Sequence, residues 1–142
     1  MFKYSKMIIV SAIIHKEIDK VWECWTEDQH VIQWNFTSPD WHCPVAANDL
    51  RIGGEFHYEI ASKDGSVTFI FSGTYTDVQP NQKICFVLED GRNVEVTFEK
   101  VDQSTRVTEK FEPEDENSFE LQQQGWQAIL DQFAQYVQEK AV

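Results

Sequence analysis

Residues 118–137 read SFELQQQGWQAILDQFAQYV. Phe119, Gln122, Trp126, Ile129, Leu130, Phe133 and Val137 fall on one stripe of a long helix, and the rest of its surface is polar. Ser118 or Asn117 is placed to cap its start. Such a stripe has to be buried against another element. Immediately upstream, residues 112–117 are polar and acidic and contain Pro113, so the helix is set off from what precedes it.

What precedes it alternates with period two. Phe56, Tyr58 and Ile60 share one face of a strand, and Glu55, His57 and Glu59 share the other. Asp64-Gly65 and Asp90-Gly91 lie between alternating runs and supply the positive φ of tight hairpin turns. Residues 50–61 with 66–77, then 82–88 with 92–100, then 105–111 therefore read as a five-stranded antiparallel meander, with turns at 78–81 and 102–104. Gly53-Gly54 suggests a bulge or bend within the first of these.

At the N-terminal end, residues 6–14 are rich in Ile and Val and read as a further strand, buried on both faces. Ile18, Val21, Trp22 and Trp25 recur at helical spacing, with Asp19 as N-cap. Thr26 and Gln29 fit a capping box that starts a second short helix ending near Trp34. Residues 35–48, with Pro39 and Pro44, read as irregular. The expectation is one α+β domain over residues 1–142, a helix-grip: a curved antiparallel sheet of about six strands wrapped around the long C-terminal helix, with two short helices after the first strand. A helix about 10 Å wide does not fill a broad concave sheet, so a cavity is expected beneath it.

Composition narrows the function. The chain has 142 residues, 12 Lys+Arg against 24 Asp+Glu, and a net charge of −12. That charge opposes binding to nucleic acid and to anionic membranes. No apolar run is long enough to span a bilayer, and none resembles a signal peptide. Cys24, Cys43 and Cys85 are odd in number and widely spaced, which points to free thiols and a cytoplasmic location. The aromatic content, 13%, suits a wide core or a lined pocket.

Several segments together carry a family likeness: 19–25 (DKVWECW), Trp34-Asn35, Asp40-Trp41-His42, 49–56 (DLRIGGEF) and 122–130 (QQQGWQAIL). With this order of elements the chain resembles START-like proteins of the polyketide-cyclase (SRPBCC) superfamily, in the branch of heat-shock-chaperone ATPase activator homologues. The likeness runs from the first helix to the last. It implies a cavity for a small hydrophobic or aromatic ligand, lipid or polyketide-like, under the C-terminal helix. It does not imply one reaction, since the superfamily contains carriers, receptors and cyclases. A chaperone-adaptor role is a separate reading; the strongest chaperone contacts of the activator itself lie in another, N-terminal domain.

The candidate ligand-binding residues are Trp41, His42, Phe56, Tyr58, Phe71, Glu109, Gln122, Trp126 and Ile129. Glu109 shares a strand face with Val107 and Phe111, and an inward carboxylate is costly unless paired, hydrated or used. The alternative leaves it in solvent at a bulged strand end. Gln122 sits on the apolar stripe one turn before Trp126, facing either a ligand or the wetter end of the stripe. Gly125 would let a ligand or sheet residue approach the helix. Trp41-His42 would wall the cavity mouth or plug the core. His42-Cys43 lacks a second cluster at ligand spacing, so no metal is expected, and no cofactor motif occurs. No nucleophile elbow or phosphate loop is present, and no catalytic residue is assigned. An enzyme of the cyclase or aromatase kind would rely on Glu109 as acid or base. A weak homodimer stands open among possible partners.

Overall fold

The structure is a computed structural model and describes residues 6–139. Its elements run β1 (Ile8–Ile14), α1 (Ile18–Thr26), α2 (Asp28–Trp34), β2 (Trp41–Asn48), β3 (Glu55–Ser62), β4 (Thr68–Gln79), β5 (Lys83–Leu88), β6 (Asn93–Val101), β7 (Ser104–Phe111) and α3 (Phe119–Glu139). The strands form one curled antiparallel sheet in the order β1-β7-β6-β5-β4-β3-β2. This is the expected helix-grip, with seven strands in place of about six.

The added strand is β2, where an irregular segment was expected. Pro44 hides it from periodicity: the register shifts between His42 and Val45, and a proline without an N–H is tolerated only on an edge or at a bulge. Two further expectations are corrected nearby. The strand expected from Leu50 begins at Glu55, because Arg51–Gly54 turns, with Gly53 at φ +86° and Arg51 paired to Asp49 at 3.0 Å. The expected caps are also displaced. Glu17 and Glu27 occupy the N-cap positions; Thr26 Oγ1 instead donates back to the Trp22 carbonyl at 2.8 Å. Both Asp-Gly turns form as read, with Gly65 at φ +82° and Gly91 at +90°.

β1 is an edge strand and is buried on one face only, with Ile9 and Ile13 exposed on the other. Helix α3 lies along it. Gln123 Nε2 donates to the Ile9 carbonyl at 3.1 Å, Gln127 Nε2 to the Ser11 carbonyl at 3.0 Å, and Gln138 Oε1 accepts from the His15 amide at 2.7 Å. These carboxamides occupy backbone groups that an edge strand otherwise leaves open to pairing with another chain. On its other flank Gln132 Nε2 donates to the Trp34 and Phe36 carbonyls, at 3.1 and 3.0 Å. The glutamines thus fix the helix between β1 and the end of α2. Ser118 Oγ accepts from the Leu121 amide at 3.1 Å and caps α3 as expected.

Burial of Leu130, Phe133 and Val137 places the inner half of α3 in the core. There Phe133 meets Trp25 and Trp34 edge-on, with centroids 4.9 and 4.7 Å away, and Trp25 meets Phe98. Large rings from the two short helices therefore fill one end of the concave space. The other end, between β3–β5 and the first turns of α3, is not filled. Among the described residues no helix is long and apolar enough to cross a membrane.

Candidate functional site

A cavity of about 160 Å³ occupies that unfilled end. Phe56, Tyr58 and Ile60 reach it from β3, and Phe71 and Tyr75 from β4. Ile84 and Phe86 come from β5, Trp126 and Ile129 from α3, and Trp25, Trp34 and Asn35 from the short helices and the residue after them. Glu109 enters from β7. The alternation of β3 and β4 dictates these positions, since every second residue faces the concave side. Phe56 lies across Gly73; a Cβ there would come within 2.9 Å of its ring and 2.6 Å of the Val87 carbonyl, so only glycine leaves room.

Glu109 is the polar centre of this wall. It is 7% exposed and lies between Val10 of β1 and Val96 of β6 in the register. Among the described residues it has no hydrogen-bond or ion-pair partner, yet no side-chain polar atom is sealed away without one, so its carboxyl opens to the cavity. Burial alone pushes its pKa up to about 8. Near neutral pH it is mostly protonated and offers both a donor and an acceptor.

Glu112, three residues on, shows what a purely structural buried carboxylate looks like. It is fully buried, and its Oε1 accepts from the Asn93 amide at 2.7 Å and from Asn93 Nδ2 at 3.0 Å. The acidic segment after β7 is not solvated throughout: its first residue fastens β7 to the start of β6.

Asn35 and the hydroxyl-bearing Tyr58 and Tyr75 also face the cavity. Asn35 is 7% exposed, its amide N–H donates to the Val31 carbonyl at 3.1 Å, and its carboxamide has no partner among the described residues. Tyr58 lies next to a hydrogen-bond chain. Asn48 Nδ2 donates to the Thr26 carbonyl at 2.7 Å, which turns Asn48 Oδ1 toward the Tyr75 hydroxyl, its donor. The one proton of Tyr75 is thereby committed. The Tyr58 hydroxyl lies near that of Tyr75, and its oxygen keeps acceptor capacity. Burial holds the Tyr58 pKa well above the usual tyrosine value and pushes that of Tyr75 up to about 12.

Of the residues singled out from sequence, Phe56, Tyr58, Phe71, Glu109, Trp126 and Ile129 come together around this cavity. Three do not. Gln122 is buried but turns into the segment before α3: its Oε1 accepts from the Glu114 amide at 2.8 Å, and its Nε2 donates to the Asn117 carbonyl at 2.9 Å. It folds the loop that starts the helix. Trp41 lies on edge strand β2 and stacks on Phe69, with centroids 5.5 Å apart. Phe69 pairs with Ile60, so this stack stands on the concave face beside the cavity rather than in its wall. His42 is exposed and does not approach Glu109's cavity. Gly125 admits nothing close: a Cβ there would meet no atom within 4 Å. Asn35, Trp25 and Trp34 were missed as site residues. Asn35 has no periodic signal, since it follows the last turn of a short helix.

Among the described residues no group of three or more His, Cys, Asp or Glu side chains converges to hold a metal. Burial pushes the Cys24 and Cys43 thiols up to about 11.

A curled sheet closed by a terminal helix, with two short helices after the first strand, defines a helix-grip domain of the AHSA1-like type. The chain belongs to the family of activator of Hsp90 ATPase homolog 1-like proteins, whose model matches residues 16–138. The solution structure of an AHSA1-like protein from Aeromonas hydrophila is 41% identical and superposes with a TM-score of 0.89, over 93% of this chain and 92% of that one. A solution structure from Cytophaga hutchinsonii is 44% identical, TM-score 0.80, over 91% and 90%. The Aha1 dimer from Colwellia psychrerythraea, at 14% identity and TM-score 0.74 over 94% and 97%, shares the fold. A comparison with curated proteins finds no match.

Proposed function

We propose that the protein binds a small, mainly apolar molecule in the cavity between sheet and α3. One observation carries this reading: two buried polar side chains, Glu109 and Asn35, have no partner among the described residues and open onto the same aromatic-walled space. Buried polar groups in a purely structural interior are hydrogen-bonded, as Glu112 is. Groups left open in a cavity suit a ligand that completes them.

Size limits the ligand. A space of about 160 Å³ matches the roughly 150 Å³ apolar cavity that takes up benzene. It fits one aromatic ring with a short substituent and is too small for a whole lipid or polyketide, the classes expected from the family likeness. Free cysteines at 24, 43 and 85 support placing the protein in a reducing, cytoplasmic setting.

Native mass spectrometry of gently purified protein, followed by titration with single-ring compounds read through Trp fluorescence, tests the proposal. A retained mass, or saturable quenching lost when Trp126 is replaced, is the expected result. Absence of both for a broad set of one-ring compounds overturns it.

A second reading, an acid–base enzyme of the cyclase kind, draws on Glu109 having a pKa near the operating pH. It requires that Glu109→Gln keep binding and abolish turnover. A chaperone-adaptor or self-associating role draws instead on Phe69, 59% exposed and stacked with Trp41; Phe69→Ser would then weaken association without touching ligand uptake.

A further inference from the structure

We propose that the ligand of this cavity is an organic base: a single-ring amine whose ammonium group pairs with Glu109 while its ring lies among Phe56, Phe71 and Trp126. The inference rests on the cavity being a ligand site and goes on to name the ligand's charge.

Three independent features select a cation. First, no Lys, Arg or His lines the cavity, and Glu109 is its one side chain able to ionise near neutral pH. An anionic ligand finds no cation in the lining to offset its buried charge, whereas an ammonium supplies the partner that ionised Glu109 lacks. Second, the walls are largely aromatic side chains, whose ring faces attract cations through their quadrupoles. Phe71 and Trp126 meet edge-on at 5.9 Å, and Phe56 packs 5.6 Å from Phe71, so ring faces and edges surround the space from both sheet and helix. Third, the whole chain carries a net charge of −12, which raises the local concentration of cations and repels anions. The remaining polar lining can accept further N–H groups: the Tyr58 oxygen and the Asn35 carboxamide both have that capacity.

The groups facing Glu109 leave it as the one that responds to the ligand's charge. Its sheet neighbours are Val10 on β1 and Val96 on β6, and α3 presents Trp126 and Ile129 to the cavity. From β3 and β4 the titratable lining groups are Tyr58 and Tyr75, both held protonated by burial across the working range. At neutral pH an entering ammonium therefore converts protonated Glu109 to carboxylate, and the proton passes to solvent.

Benzylamine, benzyl alcohol and benzoate are probes of nearly equal size and different charge. Calorimetric titration near pH 8.5 should show benzylamine binding about tenfold or more tighter than benzyl alcohol, the difference of a charge-assisted over a neutral hydrogen bond, with benzoate weakest. Glu109→Gln should abolish the preference, bringing benzylamine to or below the level of benzyl alcohol. A measurement on the unaltered protein guards against a misfolded variant. At pH 7, in buffers of different ionisation enthalpy, benzylamine binding should release about one proton, and none should be released by benzyl alcohol. Equal affinities for amine and alcohol, a preference that survives Glu109→Gln, or no proton release overturns the inference. If benzyl alcohol binds and shifts the Trp126 indole resonance without any amine preference, the cavity remains a ligand site and only the charge assignment falls. If none of the three binds, both fall.

Discussion

The indole of Trp126 lies flat on the ring of Phe111, centroids 3.7 Å apart and planes 14° from parallel. Phe111 ends β7 two residues after Glu109 and shares its face, so the stack fixes α3 over the strand that carries the cavity's carboxyl. Trp126→Ala should destabilise the protein by about 3 kcal/mol, from lost aromatic burial plus the void left behind. Denaturant titration measures the loss. The same variant should admit bulkier ring compounds than the parent, because the helix side of the cavity wall is removed.

Glu109 should make stability fall as pH rises. Its folded-state pKa of about 8 lies above the ordinary 4.5, so the folded state holds the proton after the unfolded state has lost it. Stability from this group is complete below about pH 4.5, declines from there to about pH 8, and is flat beyond. The whole decline is on the order of 5 kcal/mol. Urea unfolding at several pH values should show Glu109→Gln without that slope, and more stable than the parent at pH 8. A parallel pH dependence in both proteins would show that Glu109 ionises freely.

Glu112 differs in having a structural partner. Glu112→Ala removes the carboxylate oxygen to which the half-buried Asn93 amide donates and should cost about 1–3 kcal/mol. Glu112→Gln keeps an acceptor oxygen and should cost less. The two Gln variants, at 109 and 112, therefore separate a carboxyl with a structural partner from one without.

Gly125→Ala should stabilise the protein by about 1 kcal/mol. The glycine is inside α3, and an added Cβ meets nothing within 4 Å. Thermal unfolding should show a higher midpoint with ligand uptake unchanged. A loss of stability would reveal a neighbour closer than the fold places one.

Cys24 and Cys43 should react slowly with a thiol reagent at pH 8. Both are buried, and burial lifts both thiols to about 11, so little thiolate is present. Adding denaturant should bring both to the rate of an ordinary cysteine. Fast native labelling at either position would show that it opens to solvent.

Periodicity made much of this legible. The alternation around Phe56 and Tyr58, the stripe through Trp126 and Phe133, and the inward parity of Glu109 are local patterns, and each strand or helix displays its own buried face. Patterns of this kind gave out where a residue's role depends on a distant partner. Gln122 lies on the stripe like Trp126, yet the segment at 114–118 folds back and takes both ends of its amide. Trp41 looked irregular because Pro44 breaks the alternation, while the edge of a sheet accommodates it.

From its sequence alone this chain is specified as one sheet, one long covering helix and two short ones, with Glu109 on the same strand face as Val107 and Phe111. These follow from residue spacing along single elements. Only the tertiary structure brings Asn35, Trp25 and Trp34 from the short helices to the same space as Glu109, and only it fixes how much room is left there. That depends on how far the sheet curls and where glutamines on both flanks of α3 hold it, and those contacts join residues remote in the chain.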